Sequence, residues 1–351
     1  GLAAGDFNRD GKLDLAAVNA NTPAGAGTVA VLHGLGNGTF TPATHYPAGP
    51  SPTAIATGDF NRDGMPDLAV ANDRPWPGST PSGPQLHGAA VLLGSNTGFG
   101  SPIRLPLSFP STAVATSALP VPANVAVLSP LLAFAGPDAQ VSPAQTLIAI
   151  VPGLLNTTIL PAVQFVVPGV NRGLAAANFT RDGRMDVAAV QSIGLTVGSN
   201  ANTSVYTIFS RPVITPASPP YALAGPFATG LSSAVGIVSA DFDRDGHGDV
   251  AVAGARALGP QLPALVGSVS ALAGNGSGQL AAPRRFDVGP LPAGFASGFV
   301  NRDGRTDLVT TSSVGVSALL AAPGPRPSLD MEAAAPGDDN PNGPVDLALW
   351  E

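Results

Sequence analysis

Residues 59–67 read Asp59-Phe60-Asn61-Arg62-Asp63-Gly64-Met65-Pro66-Asp67, and Leu-Ala-Val-Ala follows directly. The pattern is D-x-N-x-D-G-x-x-D ahead of a short apolar run. It also stands at Asp6, Asn8, Asp10, Gly11 and Asp14, before Leu-Ala-Ala-Val. It returns at Asn178, Thr180, Asp182, Gly183 and Asp186, and at Asp241, Asp243, Asp245, Gly246 and Asp249. A further copy keeps Asn301, Asp303, Gly304 and Asp307 but has Phe299 at its first position. A C-terminal copy has Asp338, Asn340, Asn342, Gly343 and Asp346. One more repeat survives only in its flanks: residues 112–116 match 53–57, and 124–127 match 67–70. Its loop, from position 118, carries no carboxylate.

The first positions are 6, 59, 118, 178, 241, 299 and 338, so most spacings lie between 53 and 63. That period is longer than most solenoid repeats and fits a four-stranded propeller blade with its loops. Within the second repeat, strand-type runs fall at residues 53–57, 68–70, 89–93 and 103–107. Gly (43) and Pro (37) are frequent throughout the 351 residues. Pro at this density breaks helices, and no stretch shows helical apolar spacing over three turns. The predicted fold is therefore all-β: a propeller of seven four-stranded blades, with six as the other count that fits. Residues 1–337 form the propeller. Residues 338–351 are a partial repeat, a closing strand or the start of a truncated segment. The apolar stretch 147–167 holds Pro152 and Pro161 and reads as strands, not a membrane span.

The loops hold 16 of the chain's 23 acidic residues, all at the same offsets. A preference of Asp and Gly for turns would not place them so regularly. Ca²⁺ coordination would. Ca²⁺ takes 6–8 oxygen ligands, and alternate residues at loop positions 1, 3 and 5 can turn their oxygens inward. Gly at position 6 permits the sharp bend. The main-chain carbonyl of position 7 (Lys12, Met65, Arg184, His247) and Asp at position 9 complete the set. The loop opens like an EF-hand loop but lacks its Glu at position 12 and its flanking helices.

The stretches GDFNRDGKLDLAAVN, GDFNRDGMPDLAVAN and ADFDRDGHGDVAVAG resemble FG-GAP/VCBS repeats. These occur in integrin α-subunit propellers and in many secreted bacterial proteins. The resemblance implies Ca²⁺ in the loop between the first and second strands of a blade, with about four to five ions in all. It points to Asp6, Asn8, Asp10 and Asp14; to Asp59, Asn61, Asp63 and Asp67; and to Asp241, Asp243, Asp245 and Asp249. Asn178, Thr180, Asp182 and Asp186 form a weaker set with two formal charges. The loop at Asn301, Asp303 and Asp307 departs at position 1, and the set at Asp338, Asn340, Asn342 and Asp346 follows a short repeat. The 118 loop is expected to be metal-free.

Other chemistry is sparse. The absence of Cys removes disulfides, thiolate metal sites and Cys catalysis. The net charge of −7, with no basic stripe, argues against nucleic-acid binding. The start at Gly1 without Met reads as a trimmed or processed chain. His33 reads as a satisfied strand-end histidine, and His247 as a ring facing solvent. The Gly-rich runs at 34–38 and 274–278 read as hairpin turns. Arg9, Arg62, Arg181, Arg244 and Arg302, all at position 4, read as solvated charges.

The resulting expectation is a non-catalytic, secreted or cell-surface Ca²⁺-binding module of bacterial type. It would serve protein–protein interaction, adhesion or the structure of an extracellular assembly. The insertion at residues 72–88, with Trp76, is a candidate contact region. A carbohydrate-binding lectin is the alternative, weakened by the lack of exposed aromatics at the blade period. A polysaccharide-active lyase or dehydratase has few spare carboxylates or histidines to use.

Overall fold

The computed structural model describes residues 1–20, 26–61, 63–76, 87–107, 109–116, 132–137, 145–151, 154–155, 158–159, 162–193, 202–210, 221–257, 265–301, 303–321 and 331–333. Among them there is no helix, and six four-stranded antiparallel sheets appear. Sheet 1 consists of Leu2–Gly5, Asp14–Asn19, Ala26–Leu32 and Thr44–Pro50, in chain order. Sheet 2 uses Pro52–Gly58, Asp67–Pro75, His87–Leu92 and Ile103–Leu107. These cover the runs read from the sequence except Leu93, which lies just past the third strand. Sheets 4, 5 and 6 repeat the meander, starting at Val170–Ala177, Ser233–Ala240 and Gly294–Gly298.

Sheet 3 departs from the expected register. Its strands are Ala113–Thr116, Leu132–Pro137, Gln145–Val151 and Val163–Pro168. The expected second strand, at 124–127, and the 118 loop lie outside the described residues. The observed second strand begins only at Leu132. Without a D-x-N-x-D-G-x-x-D loop, nothing fixes the distance from strand one to strand two. The stretch 147–167 contributes to two strands of sheet 3 and holds the short pair Leu154–Leu155 and Thr158–Ile159 between them. The seventh motif, Asp338, Asn340, Asn342 and Asp346, also lies outside the described residues.

The chain divides into two compact units, Gly1–Pro168 and Gly169–Glu351. Within the first, sheets 1 and 2 enclose Phe7, Val29, Val31, Ile55, Leu68, Val70 and Leu92. Sheets 2 and 3 enclose Phe60, Leu105, Leu107, Phe109 and Phe134. Within the second, Phe179, Val190, Val205, Val250 and Val252 fill the space between sheets 4 and 5. Phe242, Val269, Leu308 and Leu319 do so between sheets 5 and 6. The central strands are buried on both faces and so read as continuous runs such as Leu68-Ala-Val-Ala71. Small alanines on one face let the next sheet approach.

Trp76, within the candidate contact region, is partly buried and belongs to this packing. It lies against the core between sheets 1 and 2, and the Arg104 guanidinium stacks 4.5 Å from its ring centroid. A β-carbon on Gly49 or Gly88 would collide with its indole. Residues 77–86 of the insertion lie outside the described set.

Candidate metal centre

Each complete motif joins the first strand of a sheet to the second, and two residues anchor it. Position 2 is aromatic and buried: Phe60 and Phe179 are 0% exposed, Phe7 3% and Phe242 5%. Position 9 is an aspartate at the start of strand two. Asp14, Asp67, Asp249 and Asp307 are all 0% exposed, and Asp186 is 1% exposed.

A buried carboxylate must be hydrogen-bonded. Asp67 Oδ2 accepts the Phe60 amide at 2.6 Å, and its Oδ1 accepts the Gly94 amide at 2.7 Å. Asp14 does the same with Phe7 and Gly34, Asp249 with Phe242 and Gly274, and Asp307 with Val300 and Ala321. One oxygen thus closes the loop and the other fastens the end of strand three. Gly34, Gly94 and Gly274 are glycines because a β-carbon there would collide with the carbonyl of loop position 8. His33 Nδ1 adds a third bond to Asp14, at 3.0 Å, which satisfies this strand-end histidine as expected.

Between the anchors the backbone curls through left-handed residues. Position 6 is Gly at φ +80°, +81°, +78°, +87° and +73° in the five described loops. Position 4 is equally left-handed where it is described: Arg9, Arg181 and Arg244 have φ 57°, 55° and 61°. For a residue with a side chain that conformation costs roughly 1–2 kcal/mol. Side-chain oxygens hold the curl. Asp6 Oδ1 and Oδ2 accept the amides of Asp10 and Gly11, Asn8 Oδ1 accepts Asp10, and Asp10 Oδ1 accepts Lys12, all within 2.9–3.0 Å. Asp59, Asn61 and Asp63 reproduce this pattern. In the loop at 241 the bonds are Asp241 to Gly246, Asp243 to Asp245 and Asp245 to His247. Asn301 and Asp303 keep the last two bonds of the set, while Phe299 at position 1 is 67% exposed. Carbonyl and carboxylate oxygens have further lone pairs, so these bonds leave them able to ligate.

The structure brings the predicted ligands together most fully in sheet 5. Asp241, Asp243 and Asp249 each place one oxygen within 4.8 Å of the others, the one such trio among the described residues. In the first two loops position 3 is Asn8 or Asn61, which supplies an amide oxygen where Asp243 supplies a carboxylate. Asp245 stands beside the trio and faces His247, with 3.9 Å from Oδ2 to the ring Nε2. In sheet 4, Asn178 Oδ1 is buried with no hydrogen-bond partner. Thr180 turns its hydroxyl to Asp186 Oδ2 at 2.9 Å, and Asp182 holds the Arg184 amide.

Burial raises Asp249 to about 7 and Asp67 to about 6, against the pull of the backbone N–H groups. Nearby carboxylates add to both shifts: Asp243 for the first, Asp63 and Asp59 for the second. Asp243 is raised too, mainly by burial. In the loop at 241, clustered carboxylates with Asp249 held out of water and an all-oxygen donor set fit a hard cation, and the loop at 178 offers an orphaned amide oxygen. The residues that would hold it are those at positions 1, 3, 5 and 9.

The structure extends the sequence reading at positions 7 and 4 and corrects it for the His247 ring. Position 7 supplies more than a carbonyl: Lys12, Arg184, His247 and Arg305 each place a side-chain nitrogen 3.3–4.0 Å from the carboxylate at position 5. The His247 ring packs beneath the turn at Gly276 and does not face open solvent. The arginines at position 4 also do more than carry charge. Arg244 Nη2 donates to the Gly304 carbonyl of the next loop. The recurrence of Arg at position 4 was the available signal for the second, whereas position 7 varies among Lys12, Met65, Arg184, His247 and Arg305.

Residues 3–70 match the FG-GAP-like repeat family, which covers the first loop, sheet 1 and the second loop. That segment is therefore an FG-GAP-like repeat. No curated protein matches the sequence. Among solved structures, a lectin of Agrocybe aegerita that recognises non-reducing terminal N-acetylglucosamine aligns over 88% of this chain and 77% of its own, at 12% identity and TM-score 0.44. The subtype N11 neuraminidase-like protein of influenza A/flat-faced bat/Peru/033/2010 aligns over 90% and 84%, at 10% identity and TM-score 0.39. The V. cholerae biofilm matrix protein Bap1 aligns over 93% and 69%, at 12% identity and TM-score 0.33.

Proposed function

We propose that this chain is a Ca²⁺-stabilised, non-catalytic β-propeller that works outside the cell as a binding and structural subunit, with another protein as its partner. The observation that carries the reading is the Asp241, Asp243 and Asp249 trio, set in a backbone frame repeated along the chain. Such a frame spends its carboxylates on holding loops, not on acid–base chemistry. An all-oxygen set of this charge suits Ca²⁺, which binds extracellular modules at roughly 10⁻⁴–10⁻³ M.

Thermal melts in Ca²⁺ and in EGTA test the metal. A melting temperature unchanged by chelation overturns that part. Gel filtration with mass spectrometry on material from the native source tests the subunit role. A defined assembly that falls apart in EGTA supports it. A lone monomer in both buffers overturns it, and binding on a Ca²⁺-containing glycan array would put a lectin in its place.

A further inference from the structure

We propose that the arginine at loop position 4 is a positioning residue for the neighbouring loop, carrying order from each loop to the next. Three pairs show the arrangement. Arg9 of the first loop places its guanidinium where a β-carbon on Gly64 of the second would stand. Arg181 of the loop at 178 approaches Gly246 of the loop at 241, 3.9 Å from the position a β-carbon would take. Arg244 approaches Gly304 at 3.6 Å by the same measure and donates to its carbonyl.

In all three pairs the side chain of position 4 reaches toward position 6 of the following loop. Gly11 and Gly183 have open space at the same place. No described loop precedes either of them within its compact unit. Arg62 and Arg302 occupy the same sequence position but lie outside the described residues.

Two costs make sense together on this reading. Arg at position 4 sits in a left-handed conformation that Gly or Asn would adopt more easily. Its side chain is thereby thrown along the row of loops, where it finds the one residue with no side chain to block it. Gly at position 6 serves both its own φ and its neighbour's arginine. A guanidinium has five donors in a planar fork and stays charged, so it can take a carbonyl and still offset nearby carboxylates. In sheets 4 to 6 the loop richest in carboxylates, at 241, lies in the middle. It is reached by Arg181 and reaches onward through Arg244.

The test is hydrogen exchange on the full chain, with Arg244→Asn, Arg181→Asn and Arg244→Lys. Asn tolerates the left-handed backbone, so the loop that loses its arginine keeps its own shape. In EGTA, R244N speeds exchange of residues 300–307 at least threefold and leaves 241–249 within twofold of wild type. R181N shifts the effect one loop back, to 241–249, and spares 178–186. R244K, which retains a cationic donor of similar reach, restores residues 300–307 to within twofold of wild type. Unchanged exchange in the following loop overturns the proposal. So does equal acceleration in both loops, or a lysine that fails to rescue. The link is read without metal and does not depend on the Ca²⁺ reading. Ca²⁺-dependent protection of residues 241–249 in the wild type reports on that separately.

Discussion

Asp249 and Gly274 are 25 residues apart, and the amide of the second donates to Oδ1 of the first at 2.8 Å. The other oxygen accepts the Phe242 amide at 2.8 Å. This carboxylate is thus a backbone clasp as well as a prospective ligand, whereas the Asp243 carboxylate accepts only the nearby Asp245 amide among the described bonds. The two roles separate by mutation. Asp249→Asn turns an NH₂ group toward a backbone N–H and leaves one buried donor unsatisfied, a loss of about 1–3 kcal/mol with or without Ca²⁺. Asp243→Asn changes stability by under ~1 kcal/mol in EGTA but removes much of the rise that Ca²⁺ gives. Urea unfolding of both variants in both buffers decides this. A D249N protein as stable as wild type in EGTA would contradict the clasp.

The same burial makes the metal-free protein sensitive to pH. Asp249 is raised to about 7 and Asp67 to about 6, above the ordinary carboxylate value near 4 that they regain on unfolding. The folded state therefore holds protons that the unfolded state has lost. The contribution of these two groups is fully present below about pH 4 and declines as pH rises through 6 and 7. Metal-free protein should lose urea resistance across that window by more than the D249N variant does. Ca²⁺ should abolish the difference, because a bound dication favours the ionised form. A pH profile identical in wild type and variant would refute the assignment.

Much of this was legible in the residues and some was not. Alternation of Asp and Asn with Gly at position 6 fixes the loop, since few other residues accept φ near +80°. The flanking apolar runs fix two strands, and the repeat spacing fixes the rest of the sheet. Legibility ends where the motif ends. In sheet 3 the runs at 124–127 and 132–137 are both apolar, and without carboxylates periodicity cannot choose between them. The second role of Asp at position 9 was hidden because its partners, Gly34, Gly94 and Gly274, are remote in sequence. The arginines were visible as a recurrence, but their contacts lie in the next repeat. The packing of Trp76 was hidden because composition marks the insertion as loop, while its first residues continue strand Asp67–Pro75.

Asn178 offers a gain-of-function test. Its Oδ1 is buried without a partner at position 1, where three other described loops have Asp. Asn178→Asp adds a third formal charge to Asp182 and Asp186. Affinity in such loops is tuned by charge count, so Ca²⁺ binding at this loop should tighten by about tenfold in calorimetric titration. In EGTA the same change should destabilise, because the new carboxylate is buried beside Asp186. A variant that binds no tighter would remove this loop from the metal-binding set.

Gly11 and Gly64 make a controlled pair for the role of the arginine at position 4. Their φ values are +80° and +81°, so Ala costs the same backbone strain at each, roughly 1–2 kcal/mol. Around Gly11 nothing lies within 4 Å of an added β-carbon, whereas at Gly64 the Arg9 guanidinium occupies that space. Gly64→Ala should therefore cost more than Gly11→Ala, by about 0.5–1 kcal/mol, the scale of coupling between residues in contact. Arg9→Asn should erase the excess and leave the cost of Gly11→Ala nearly unchanged, because Asn keeps the left-handed backbone. The cycle is read from urea midpoints of the six proteins. If the excess at Gly64 persists without Arg9, the glycine is required by its own loop alone, and the contact between neighbouring loops contributes nothing to stability.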